Sequence, residues 1–214
     1  RPLAVFFLSE APKEKPLPKD YRMLPEKAGK FDKKTILAIR RARRLQKISK
    51  ELSENLNANL NKLVSAVKQS EDPKKIAEKY REELNFDETK QKKLKTAYEV
   101  FNFLRDTVED KNIIVFQISM PVEDARGFTL VDDSPAVIVV NSKDQIEARI
   151  FTLMHEFGHV LLNESGVSMP ENSLFIKSVE SIEKWCNDFS SAFLLPEALA
   201  KAEFSQNKDV AKLS

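Results

Sequence analysis

His155, Glu156 and His159 lie in the run HEFGH, and the two histidines are the only ones in the chain. Histidines four positions apart on a helix sit about 40° apart around the axis and one turn apart along it, so both rings can close on one ion. Glu156 is turned about 100° from His155 by the same geometry. Its carboxylate then stands beside the ion, where it can take a proton from a water. The chemistry implied is metal-assisted hydrolysis.

A catalytic zinc ion takes three protein ligands and keeps a fourth position for water. No third histidine exists and the single Cys186 is an unusual ligand here, so the third donor must be a downstream carboxylate. In the run IEKWCN, Glu183 and Asn187 are at i and i+4 and share one helix face. Glu183 is expected as the third ligand, with Glu180, one turn earlier, as the competing candidate. Asn187 is then placed to hold the far ring nitrogen of a metal histidine, fixing its tautomer. Glu156 would remove the water's proton and pass it to the leaving amine of a peptide bond. An oxyanion donor is also required, but the only tyrosines are Tyr21, Tyr80 and Tyr98, all far upstream, and none is assigned.

The elements that must hold these residues follow from hydrophobic period. Apolar residues at steps of three or four from Ile36 to Val67 predict one long amphipathic helix over 32–69. Asp72 before Pro73 starts a short helix to about Leu84, and a further helix is expected from about Asp87 to Val108. The period then changes. Ile113 to Ser119, Arg126 to Val131 and Ala136 to Asn141 are short β-branched and aromatic runs between turn residues. Ser142 and Gln145 have capping-box spacing, so the HEFGH helix should begin near Lys143. A loop with Gly166 and Pro170 leads to a last helix over about Val179 to Leu195, stopped by Pro196. The fold class is α+β: a small three-stranded sheet packed on the HExxH helix and further helices, with a long N-terminal helix.

Strand Ala136 to Asn141 precedes the metal helix. It reads either as the edge to which an extended substrate peptide adds, with Val139 and Asn141 as contacts, or as a plain core strand. Gly127 permits a close backbone approach, Arg126 reads as an ion-pair residue, and Gly158 as a point where the sheet or last helix comes near. Trp185 and Cys186 read as core. The basic run R40-R41-A42-R43-R44 reads as a solvated helix face in preference to a nucleic-acid contact.

Lys plus Arg number 35 against 33 for Asp plus Glu, which leaves no field to gather nucleic acid or acidic membrane. One cysteine cannot form an intrachain disulfide, which fits a reducing, cytoplasmic interior. No apolar run reaches the roughly 20 residues of a membrane span, and LAVFFL is too short for the core of a signal peptide. The chain divides into a proline-rich linker over 1–30, a connector or homodimerisation helix over 31–70, and a metallopeptidase domain over 71–214. Because the chain opens at Arg1 and not at a methionine, the linker is expected to be the remnant of an upstream domain.

The run RGFTLVDDSPAVIVVNSKDQIEARIFTLMHEFGHVLLNESGVS and the later IEKWCNDFSSAFLLP closely resemble the ImmA/IrrE family of metallopeptidases. The resemblance implies a zincin-like fold, with His155, His159 and Glu183 on the family's metal ligands and Glu156 on its catalytic glutamate. It also implies a protein substrate, a helix-turn-helix repressor whose cleavage relieves repression. RPLAVFFLSEAP resembles the segment after a helix-turn-helix domain in longer members, so contact with DNA would come only through such an upstream domain.

Overall fold

Alternation of branched and aromatic side chains builds the centre of a mixed sheet. In the computed structural model the described residues are 19–20, 31–59, 61–164, 166–168 and 177–206, with side chains described for 31–59, 61–164 and 181–201. The strands are β1 (Lys19–Asp20), β2 (Ile113–Ile118), β3 (Gly127–Leu130), β4 (Ala136–Asn141) and β5 (Gly166–Ser168), in the order β1-β5-β3-β4-β2. β2, β3 and β4 are the three strands expected from the sequence. β4 runs parallel to β2 and antiparallel to β3. The short β5 adds antiparallel to β3, and β1 adds parallel to β5. The proline-rich stretch otherwise lies outside the described residues.

The helices are α1 (Lys33–Leu56), α2 (Pro73–Glu83), α3 (Glu88–Lys93), α4 (Ala97–Glu109), α5 (Ile146–Leu162), α6 (Lys177–Leu194) and α7 (Glu197–Gln206). No helix among the described residues is long and apolar enough to cross a membrane.

Two apolar layers enclose the sheet. On one face Ala136, Ile138 and Val140 pack with Leu153, Phe157 and Val160 of α5 and with α2, α4 and α6. On the other, Phe128, Leu130, Val137 and Val139 pack with Phe31, Ala38, Ile39 and Ala42 at α1. Period-two alternation makes β4 serve both layers, and every one of its residues is buried.

α1 is shorter than its apolar spacing predicts. Asn57 adopts a left-handed conformation with φ of 51° and caps the helix, its N–H donating to the carbonyls of Ser53 and Glu54. The spacing of Leu60, Leu63 and Val67 continues the helical rhythm, yet residues 58–59 and 61–71 run as irregular chain. The Leu63 N–H donates to the Lys111 carbonyl and the Val67 N–H to the Leu161 carbonyl, each at 2.9 Å. α1 closes the back of the sheet. Gln46 is buried there and its amide donates to the carbonyls of Pro135 at 2.8 Å and Asp133 at 3.2 Å.

The expected helix from Asp87 to Val108 is two helices. Thr96 forms a capping box with Glu99, which starts α4 afresh. The capping box expected at Ser142 and Gln145 does not form: α5 begins at Ile146 and Gln145 makes no side-chain cap.

Candidate metal centre

α5 carries the HEFGH run and is buried over almost its whole second half. α6 lies along it, held by an aromatic ridge at Trp185, Phe189 and Phe193, four residues apart and therefore on one face. Trp185 stacks on Phe189 with ring centroids 5.5 Å apart, and Phe193 stacks on Phe86 at 5.6 Å. Phe157 of α5 meets Phe189 at 6.2 Å and Tyr80 edge-on at 5.3 Å. Gly158 allows the close approach. A Cβ there would stand 3.2 Å from Cys186 Sγ and 3.4 Å from Cys186 Cβ, so of the sheet and the Val179–Leu195 helix expected from the sequence it is the helix, α6, that Gly158 admits.

This packing turns Glu183 onto the two histidines. His155 Nε2 lies 3.1 Å from Glu183 Oε2, His159 Nε2 lies 3.2 Å from Glu183 Oε1, and the two ring nitrogens are 3.2 Å apart. Three donors around a tetrahedral zinc with bonds of about 2.0–2.1 Å should be separated by about 3.3 Å. The cluster has that size before any ion is added. All three residues are buried, and among the described residues they are the group of potential metal ligands that converges. The side chain of Glu180, the competing candidate, lies outside the described residues.

The partners behind the ligands fix their orientation. Asn187 Oδ1 is 2.9 Å from His155 Nδ1, the contact expected from the sequence. Cys186 is buried in the core beside His159, as its sequence context suggested. Burial opposes charge on His159, but its contacts with Cys186 and Glu183 outweigh that and raise the imidazole well above its ordinary value. Burial also pushes the Cys186 thiol up, toward its neutral form. A neutral thiol lends little charge, so the Glu183 carboxylate is the partner that keeps His159 protonated. Burial alone would raise the Glu183 carboxyl; hydrogen bonds from His155 and His159 overcome it and hold the group far below the usual carboxylate range.

Glu156 is fully buried beside these ligands, and its two carboxylate oxygens differ. Oε2 accepts a 2.7 Å hydrogen bond from Thr129 Oγ1 of β3. Oε1 is buried and has no hydrogen-bond partner among the described residues. Gly127, two residues along the same strand and so on the same face, leaves room for it: a Cβ there would stand 3.0 Å from Oε1 and 2.6 Å from Thr152 Cγ2. Gly127 is thus the close approach its sequence context suggested. Thr129 had no sequence signal beyond a hydroxyl within a buried strand. Arg126 forms the expected ion pair, with Asp144 at 3.5 Å.

Val139 and Asn141 do not form a peptide-binding edge. β4 is paired on both sides, so it has no free row of backbone groups. Val139 faces α1, across the sheet from α5. Asn141 braces turns: its Oδ1 accepts from the N–H groups of Met120 and Lys143, and its Nδ2 donates to the carbonyls of Met120 and Ala125. Tyr80 is packed on Phe157, its hydroxyl 3.5 Å from the Ser65 carbonyl, and Tyr98 is exposed.

Among curated proteins no match to this chain is found. The sequence profile of the M78 peptidases, described as the IrrE N-terminal-like domain, matches residues 108–213, a span holding every residue of the cluster. The buried His155, His159 and Glu183 are thus set in the sequence context of that profile, and the chain belongs, through residues 108–213, to the IrrE N-terminal-like family of metallopeptidases.

Proposed function

We propose that this protein is a zinc-dependent endopeptidase that cuts a peptide bond in a regulatory protein, a helix-turn-helix repressor, and so controls transcription. The observation carrying the catalytic part is Oε1 of Glu156, a buried acceptor with no protein donor among the described residues. Such a group is costly to bury unless a ligand or water completes it, and it adjoins a three-donor cluster of the right size for zinc. Resemblance of the HEFGH and IEKWCN runs to the ImmA/IrrE family supports the choice of substrate.

His155, His159 and Glu183 would hold the ion, two neutral imidazoles and a carboxylate being a donor set suited to zinc. When bound, zinc supplies a Lewis acid that makes water nucleophilic near neutral pH. Asn187 orients the His155 ring. Glu156 receives the water's proton at Oε1 and returns it to the leaving amine. The helices and the sheet keep this carboxylate out of bulk solvent, which strengthens its interaction with the developing charges.

Metal analysis of purified protein tests the reading. One equivalent of zinc is expected in the parent and in Glu156→Gln, and none in His155→Ala. Peptide mapping of a candidate repressor should show one new terminus with the parent and none with Glu156→Gln. A parent that holds no metal, or a Glu156→Gln variant that cleaves as well as the parent, overturns it.

A further inference from the structure

We infer that Thr129 is a positioning residue for the reaction, fixing which oxygen of Glu156 is left to act as the base; this rests on Glu156 being that base. Thr129 is fully buried on β3, and its Oγ1 is 2.7 Å from Glu156 Oε2 and 3.1 Å from the Glu156 backbone carbonyl. A hydroxyl has one proton to donate. The contact to Oε2 has the usual length of an O–H···O bond and the one to the carbonyl is longer, so the proton goes to Oε2.

The anchor itself is rigid. Thr129 is paired with Ile138 of β4 on one side and with Gly166 of β5 on the other, so its backbone is locked within the sheet. A side chain on such an element holds a neighbour more tightly than one on a loop. Gly127 completes the arrangement by leaving space beside Oε1, with the Val139 carbonyl only 2.8 Å from where its Cβ would fall. One oxygen is thereby tied to the sheet and the other kept clear. Without the Thr129 hydroxyl both oxygens would be unpartnered and the carboxylate could rotate about its last torsion, which is broad and roughly two-fold.

The test uses the zinc-loaded full chain and acetohydroxamic acid, a small chelator whose acidic proton needs a neighbouring carboxylate. Its affinity is read by calorimetry in the parent, Thr129→Val, Thr129→Ala, Thr129→Ser and Glu156→Gln, and in Glu156→Gln combined with each of the first two. Loss of the hydroxyl should weaken the hydroxamate about tenfold, while zinc content stays at one equivalent and Thr129→Ser restores affinity to within about threefold. In the Glu156→Gln background the same loss should change little, because the acceptor it served is altered. Thr129→Ala gives the same reading where valine prevents folding. Equal weakening in both backgrounds, no weakening, or a serine variant as poor as valine overturns the assignment of Thr129. If Glu156→Gln itself binds the hydroxamate like the parent, the role of Glu156 falls first and this inference with it.

Discussion

Asn187 Oδ1 sits 2.9 Å from Nδ1 of His155, one helix reaching across to set the tautomer of a ligand on another. An amide oxygen only accepts, so Nδ1 carries a proton and Nε2 is the nitrogen turned toward the ion's position. Asn187→Leu should weaken zinc binding about 10- to 100-fold without unfolding the protein. Competition with a coloured chelator measures this, and an unchanged zinc affinity would show that packing alone orients His155.

Proton and metal compete for the same cluster. His159 is raised and Glu183 held low in the metal-free protein, so near neutral pH zinc must displace a proton from His159. Apparent zinc affinity should rise with pH through the neutral range. Calorimetry in two buffers of different ionisation enthalpy should give different observed heats; identical heats would mean that no proton leaves.

Tyr80 links the core to alkaline stability. Its phenol is pushed up to about 12, chiefly by burial and then by the charge of Glu83. The folded state therefore holds the proton more tightly than the unfolded chain, whose tyrosines titrate near ~10. The contribution is intact below ~10 and is lost as pH rises toward about 12. Tyr80→Phe loses only a weak 3.5 Å hydrogen bond to the Ser65 carbonyl and should lie within about 1 kcal/mol of the parent at neutral pH. Its urea-unfolding free energy should decline less steeply across that alkaline window.

Arg81 ties off the end of the third-ligand helix. It is buried, donates to the Phe193 carbonyl and, at 3.1 Å, to Gln91 Oε1, and lies over the Phe86 ring at 5.0 Å. Gln91 in turn donates to the Leu194 carbonyl at 3.0 Å. Both are carbonyls of the last turn of α6, which lack partners within the helix. Arg81→Ala should destabilise by about 2–3 kcal/mol in denaturant melts, and a cost below about 0.5 kcal/mol would contradict this picture.

Gly158 and Cys186 should be energetically coupled. Gly158→Ala puts a methyl 3.2 Å from Cys186 Sγ and should cost about 1–2 kcal/mol in the parent. In Cys186→Ala the sulfur is gone and the new methyl fills part of its space, so the cost should shrink by at least about 0.5 kcal/mol. Additive effects in a double-mutant cycle would mean that the helices do not meet there as described.

Much of the site was legible because helical spacing encodes it. His155 and His159, Glu183 and Asn187 are each four apart, and α5 and α6 exist as expected. Three strands were legible from β-branched runs bounded by turns. Helix ends were less so. The apolar rhythm from Ile36 to Val67 continues past Leu56, and a run of asparagines that tolerates a left-handed turn at Asn57 cut it. Which strand lies at an edge is set by long-range pairing, so β4 could not be placed by its sequence. Thr129 was invisible for a related reason: its partner is 27 positions away, brought near by β3 crossing over α5.

The four residues of β3 face in alternate directions. Gly127 and Thr129 meet the Glu156 carboxylate, while Phe128 and Leu130 are embedded in the layer under α1. The strand is therefore a partition one residue thick, with Glu156 and the metal-ligand cluster on one side and α1 on the other. A displacement of α1 that moves Phe128 by a fraction of an ångström moves the neighbouring Thr129 hydroxyl with it, because adjacent residues of a paired strand cannot shift independently. Substitutions at the back of the sheet, at Ala38 or Ala42, are thus expected to alter turnover before they unfold the protein.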